Sequence, residues 1–171
     1  MLFDFGCKKD WQNSVPHIAE LAGGHVPGLR VQSDVGDILK AGGVRLEDLS
    51  ALILSHWHFD HCGDLAKLPP SVDLLVGPGF REEFLPGYPT KQSSPFWESA
   101  FDGRNVIEVD FNGNSKLGAF QAHDYFGDGS LYILNVPGHA VGHISALVRT
   151  TPDTAVFLGG DVCHFTGEQA E

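Results

Sequence analysis

Apolar residues fall in short runs separated by Gly and Pro, without the long 3.6-residue periods of a helical protein. Eight runs read as strands, at residues 2–5, 51–54, 72–76, 106–109, 119–122, 131–134, 144–148 and 155–158, each rich in β-branched, Leu or aromatic residues. Two helices are expected between the first of them. Ser14 would cap one that carries Pro16 in its first turn, and Ser33 would cap another running through Asp37 to Lys40 before Gly42-Gly43. Gly127-Asp128-Gly129 reads as a hairpin turn, so part of the sheet structure is antiparallel. The pattern is mixed α/β, with no repeat or linker to divide it.

The least regular stretch is 77–105, where Pro78, Pro86, Pro89 and Pro95 alternate with Phe80, Phe84, Tyr88, Phe96, Trp97 and Phe101. A long loop in a compact domain is usually functional. Its aromatics either wall a substrate pocket or form a satellite cluster packing the loop onto the body.

Composition narrows the function. The 171 residues suit one domain, and 22 acidic against 11 basic residues leave a net charge of -11. Such a surface repels phosphate backbones and anionic lipid, which argues against nucleic acid and membrane partners. No apolar run is long enough to span a bilayer, and Met1 leads into Leu2-Phe3-Asp4 without a cationic and apolar leader, so a soluble cytoplasmic protein is expected. Cys7, Cys62 and Cys163 are odd in number and far apart, which fits a reducing compartment, and the absence of any CxxC excludes a zinc ribbon.

Histidine changes the picture, with nine in the chain and five of them in two short segments. The strand 51–54 runs straight into Ser55, then His56, Trp57, His58, Phe59, Asp60 and His61. In extended backbone positions 56, 58 and 60 project to one side, and His61, at the turn, can serve a second centre close by. An isolated histidine is usually a satisfied core residue, but four ionisable groups in six residues are costly to bury unless a cation joins them. Two further strand ends carry His139 in Pro137-Gly138-His139 and Asp161 after Gly159-Gly160, whose lack of side chains lets the backbone approach a site. Pro137, Gly138 and Gly142 argue against a helix joining His139 to His143, so His139 is expected to be a ligand and His143 to start the next strand. Asp4 could accept a bond from a ligand imidazole, and Cys62 and Cys163 read as small buried residues, not ligands.

The set Ser55 to His61, Pro137-Gly138-His139 and Gly159-Gly160-Asp161 resembles the metallo-β-lactamase superfamily of hydrolases. The wording around His56 and the step from His139 to Asp161 most resemble N-acyl homoserine lactone lactonases and similar fungal proteins. The resemblance implies an αββα sandwich with one metal held by His56, His58 and His139. A second would be held by Asp60 and His61, with Asp161 bridging. Zinc suits these ligands, and two cations about 3.5–4 Å apart would activate a water and polarise a scissile carbonyl. Asp60 would orient that nucleophile and pass its proton to the leaving group. His164 falls where similar lactonases place a tyrosine that assists the substrate. The family closes the second site with another histidine well downstream, and ten residues follow Asp161 here. The second site is therefore expected to be incomplete within this chain, and terminal elements to be missing at both ends.

The expected activity is opening of a lactone or related carboxylic ester by a small-molecule hydrolase. A glyoxalase II-like thioesterase would use the same ligands, but it needs cations near the site, and Lys67, Arg81, Lys91 and Arg104 are scattered. A non-catalytic metal-binding remnant is the rival from another class. The sequence sets no oligomeric state.

Overall fold

The computed structural model describes residues 1–113 and 115–163. The first half builds a parallel sheet and the second an antiparallel one. Strands β1 (Leu2–Phe3), β2 (Ala51–Ile53), β3 (Asp73–Val76) and β4 (Val106–Glu108) pair in that order, all parallel. Helices α1 (Pro16–His25), α2 (Val35–Ala41), α3 (Phe59–Cys62) and α4 (Phe80–Phe84) lie in the crossovers, because parallel neighbours need long connections. Strands β5 (Lys116–Leu117), β6 (Phe120–Asp124), β7 (Leu131–Asn135), β8 (Ile144–Thr151) and β9 (Thr154–Leu158) form an antiparallel meander. The hairpin expected at Gly127 to Gly129 joins β6 to β7.

Alternation along the central strands sorts the core into layers. Leu52, Leu54, Leu74 and Val76 pack with Phe5, Leu46, Leu65 and Phe80 on the helix side. Ala51, Ile53 and Leu75 face the other way, onto Leu131, Ile133, Ile144 and Ala146 of the second sheet. Strands buried on both faces read as unbroken apolar runs, which is why these were so visible in the sequence. Helix, sheet and sheet thus make three layers of the expected sandwich. A smaller cluster of Ala122, Leu134 and Val136 lies apart from these two. Among the described residues no helix is long and apolar enough to cross a membrane.

Both helix starts are shifted by one residue from expectation. Val15, not Ser14, caps α1 and places Pro16 at its first position. Asp34, not Ser33, caps α2 by accepting the Asp37 N–H at 3.0 Å, since a carboxylate suits the positive end of the helix better than a hydroxyl. Asp34 is only 3% exposed and also receives Lys67 Nζ. Asp34→Ala removes the cap together with one of the two carboxylates that hold the Lys67 ammonium, the other being Asp37 at 3.0 Å. It is expected to cost about 2 kcal/mol, a melting temperature lower by roughly 4–8 °C in a scanning thermal melt, with Asp34→Asn losing less than half of that.

The aromatic stretch divides between its two readings. Phe80, Phe84 and Phe96 are buried in the helix-side core with Phe101 against them, ring centroids 5.0–6.4 Å apart, so these pack the loop onto the body. Phe96 and Trp97 also border a hollow shared with Trp11, Trp57 and Phe59.

Candidate metal centre

The site lies at the ends of β2, β7 and β9, where the two sheets meet. The N–H of Ile144, the first residue of β8, donates to the Ser55 carbonyl at 2.9 Å and ties the sheets together beside His56. Past β2 the chain stays extended through His58 and then turns into α3. His56 and His58 converge, and Asp60, in the first turn of α3, stands outside the cluster they form with His139 and Asp161. Its side chain is 54% exposed, with Oδ2 3.9 Å from His61 Nε2.

Donor atoms of His56, His58, His139 and Asp161 all lie within 4.8 Å of one another. His58 Nδ1 is the middle of the group, 3.0 Å from His56 Nε2 and 3.0 Å from His139 Nε2. Asp161 faces two ways. Its Oδ2 is 3.7 Å from His56 Nε2 and 3.5 Å from His139 Nε2, whereas Oδ1 is 3.1 Å from His61 Nε2. Gly160, at φ +58°, is what allows this approach: a Cβ there would meet Ser55 Cβ at 2.9 Å.

Asp4 sets the proton positions on two of these rings. It accepts the Ser55 N–H at 2.7 Å, the Ser55 hydroxyl at 2.8 Å and His61 Nδ1–H at 2.8 Å. Because the Ser55 hydroxyl hydrogen goes to Asp4, its oxygen must accept from His56 Nδ1, 2.9 Å away. Both His56 and His61 are left with Nε2 lone pairs aimed into the cluster. Converging lone pairs with a carboxylate between them repel unless a cation or a proton stands there. Three imidazole nitrogens and a carboxylate oxygen are the donor set of a divalent ion such as zinc, so the residues present fit the metal. Asp4 was legible only as a possible acceptor, and Ser55 was missed. The signal for Ser55 was a single polar residue closing a buried apolar run.

The titration pattern agrees. Burial, reinforced by His61, His58, His143 and His139, pushes His56 down to about 2. Burial and then His139 lower His58, and burial also lowers His143. Burial acts on His61 as well, but the bond to Asp4 and the nearby carboxylates overcome it and raise its pKa. In the unfolded chain these histidines take up protons near 6.5. Those held neutral in the fold therefore contribute stability above that pH which is lost as it falls. His61 works oppositely, its contribution being full below 6.5 and lost as pH rises through its raised value. Three lowered groups outweigh one, so metal-free protein in about 0.15 M salt, where surface repulsion is screened, should melt lower at pH 5 than at pH 7. A higher melting temperature at pH 5 would contradict this.

The remaining candidates divide. His143 is 1% exposed and, as expected, directly precedes β8. Cys7, Cys62 and Cys163 are all partly buried, and burial pushes the Cys62 thiol up to about 12, far from the thiolate a metal needs. His164 lies outside the described residues.

Comparison with known proteins gives this geometry a family. The metallo-beta-lactamase superfamily model matches residues 2–159. The chain belongs to that superfamily. Gamma-lactamase MBL2 of Gibberella moniliformis is 48% identical over 172 residues, 98% of this chain and 72% of that protein. Gamma-lactamase FDB1 of Fusarium pseudograminearum is 49% identical, again over 98% of this chain but 42% of its own length. Among solved structures, an N-acyl homoserine lactone hydrolase with the product N-hexanoyl-L-homoserine at its catalytic metal centre superposes with a TM-score of 0.62 at 21% identity. It covers 92% of this chain and 57% of that one. The superposition shows the metallo-beta-lactamase fold. Several relatives carry lactamase, metallo-hydrolase or lactonase names, and the histidine and aspartate cluster implies a divalent metal.

Proposed function

We propose that the chain is the metal-binding part of a hydrolase that opens a lactone or related carboxylic ester. One observation carries the reading: three imidazole nitrogens and the Asp161 carboxylate aimed at a common point. His56, His58 and His139 would hold one zinc ion, His61 and Asp60 a second, with Asp161 between them. When bound, the metal lowers the pKa of coordinated water toward 7 and polarises a carbonyl. The chain's own groups do the rest. Asp4 and Ser55 fix the ring tautomers, and Asp161 keeps negative charge between the two halves of the site. Asp60, exposed at the rim, holds the proton of the attacking water and returns it to the leaving oxygen.

Two hollows offer room for a substrate, and only the first is walled by candidate ligands. One of about 580 Å³ opens on His139 and Asp161 and is walled by Phe120, Pro137, Phe157 and Val162. The other is the aromatic one, lined by Trp57 and Phe59 from the segment that carries His56 and His58. Apolar walls suit an acyl or ring-bearing substrate. Among the described residues lining them Lys8 is the one ammonium, and it is 3.5 Å from Asp64, which disfavours the thioesterase reading because a glutathione thioester is anionic. The fungal relatives are named gamma-lactamases, so a γ-lactam, with nitrogen in place of the leaving oxygen, is the second substrate to try. Turnover by zinc-loaded protein of an N-acyl lactone, a γ-lactam and a glutathione thioester should rank the thioester last. Thioester cleavage alone would overturn the substrate class, and zinc binding with no turnover of any would favour a remnant.

A further inference from the structure

His143 has no place among the ligands, yet it touches three of them, His56, His139 and Asp161. Its ring centroid lies 5.2 Å from that of His56 and 5.6 Å from that of His139, so it backs two of the three imidazoles. Its Nε2 is 3.1 Å from the backbone nitrogen of Asp161. A backbone N–H can only donate, so Nε2 must be the acceptor and the ring proton must sit on Nδ1. Nδ1 is 3.0 Å from the Val136 carbonyl, which can only accept. The two obligatory backbone partners fix one tautomer between them. Gly160 confirms how close the fit is: a Cβ there would stand 2.8 Å from His143 Nε2.

We propose that His143 is a positioning residue that fixes Asp161 through its backbone N–H and thereby sets where the carboxylate meets the metal. The inference rests on the reading of His56, His58, His139 and Asp161 as a metal site. Asp161 follows a loop of two glycines, which by themselves impose little on its backbone. The acceptor at His143 Nε2 supplies the missing constraint, while Val136, just past β7, anchors the ring to the sheet.

The test separates the two ends of the ring. Gln places an oxygen acceptor where Nε2 stands. Asn keeps a donor near the Nδ1 position but has nothing that reaches the Asp161 amide. Zinc affinity of the full chain is measured by competition with a chromophoric chelator, beside the melting temperature of each metal-free variant. His143→Gln is expected to bind within about threefold of the unaltered protein, and His143→Asn 10–100-fold more weakly, as is typical for groups that orient metal ligands. His143→Leu, which fills the space of the ring but offers the Asp161 amide no acceptor, should lose affinity as the Asn variant does, and it replaces that variant if Asn prevents folding. Equal affinity of Gln and Asn variants, or a tenfold loss with Gln, overturns the role of His143 while leaving the metal site standing. An unaltered chain that takes up no zinc removes both.

Discussion

His58→Ala is expected to lose zinc from the cluster and to reduce kcat/KM for any ester the protein cleaves by about 10³-fold or more, equivalent to roughly 4 kcal/mol of transition-state stabilisation. The size follows from position. His58 Nδ1 stands 3.0 Å from both neighbouring imidazole nitrogens, so its removal takes out the central donor of four and leaves two nitrogens and one carboxylate. Protein stability should change little. The His58 ring leans on Trp57, centroids 4.5 Å apart, and Trp57 is held independently against Phe84 at 5.7 Å. Metal analysis after dialysis, together with melting of the metal-free variant, separates the two effects. An Ala variant that keeps both zinc and turnover would remove His58 from the site.

Gly77→Ala is expected to be the most damaging change outside the metal ligands. A Cβ at Gly77 would stand 2.2 Å from the Gly142 carbonyl oxygen and 2.7 Å from Ile144 Cγ2. Neither neighbour can yield cheaply, because one is backbone and the other begins a buried strand. The loop after β3 and the turn before β8 must therefore separate, and with them the bond from Ile144 N–H to Ser55. Overpacking of this kind should cost about 3 kcal/mol or more, a fall of roughly 10 °C in melting temperature. Zinc affinity should drop with it, because Ser55 positions His56. Gly24→Ala is the matched control, since nothing lies within 4 Å of a Cβ there and the helix should gain up to about 1 kcal/mol. Equal melting temperatures for the two variants would contradict the account of the sheet junction.

Much of this was visible in the chain itself. All eight expected strands are present, because strands buried on two faces or alternating on one leave an unmistakable apolar signature. β5 escaped notice since Lys116–Leu117 is too short to show a period. The convergence of His56 and His58 followed from extended backbone, and the helical turn that begins one residue after His58 carries Asp60 to the edge of that cluster, beside His61. Local pattern cannot report contacts made across 51 or 57 residues, which is why the part played by Asp4 was faint and that of Ser55 invisible. His143 was placed correctly in the chain, but its two backbone partners lie 7 and 18 residues away and belong to the fold.

The central claim is that His56, His58, His139 and Asp161 hold a cation together. Crystals of the full chain soaked in zinc, with anomalous diffraction collected at the zinc edge, address it directly. The expected result is a peak about 2.0–2.2 Å from His56 Nε2, His58 Nδ1 and His139 Nε2, with an Asp161 oxygen completing the group. Density without an anomalous peak among those four residues, or a peak only elsewhere on the surface, would contradict it.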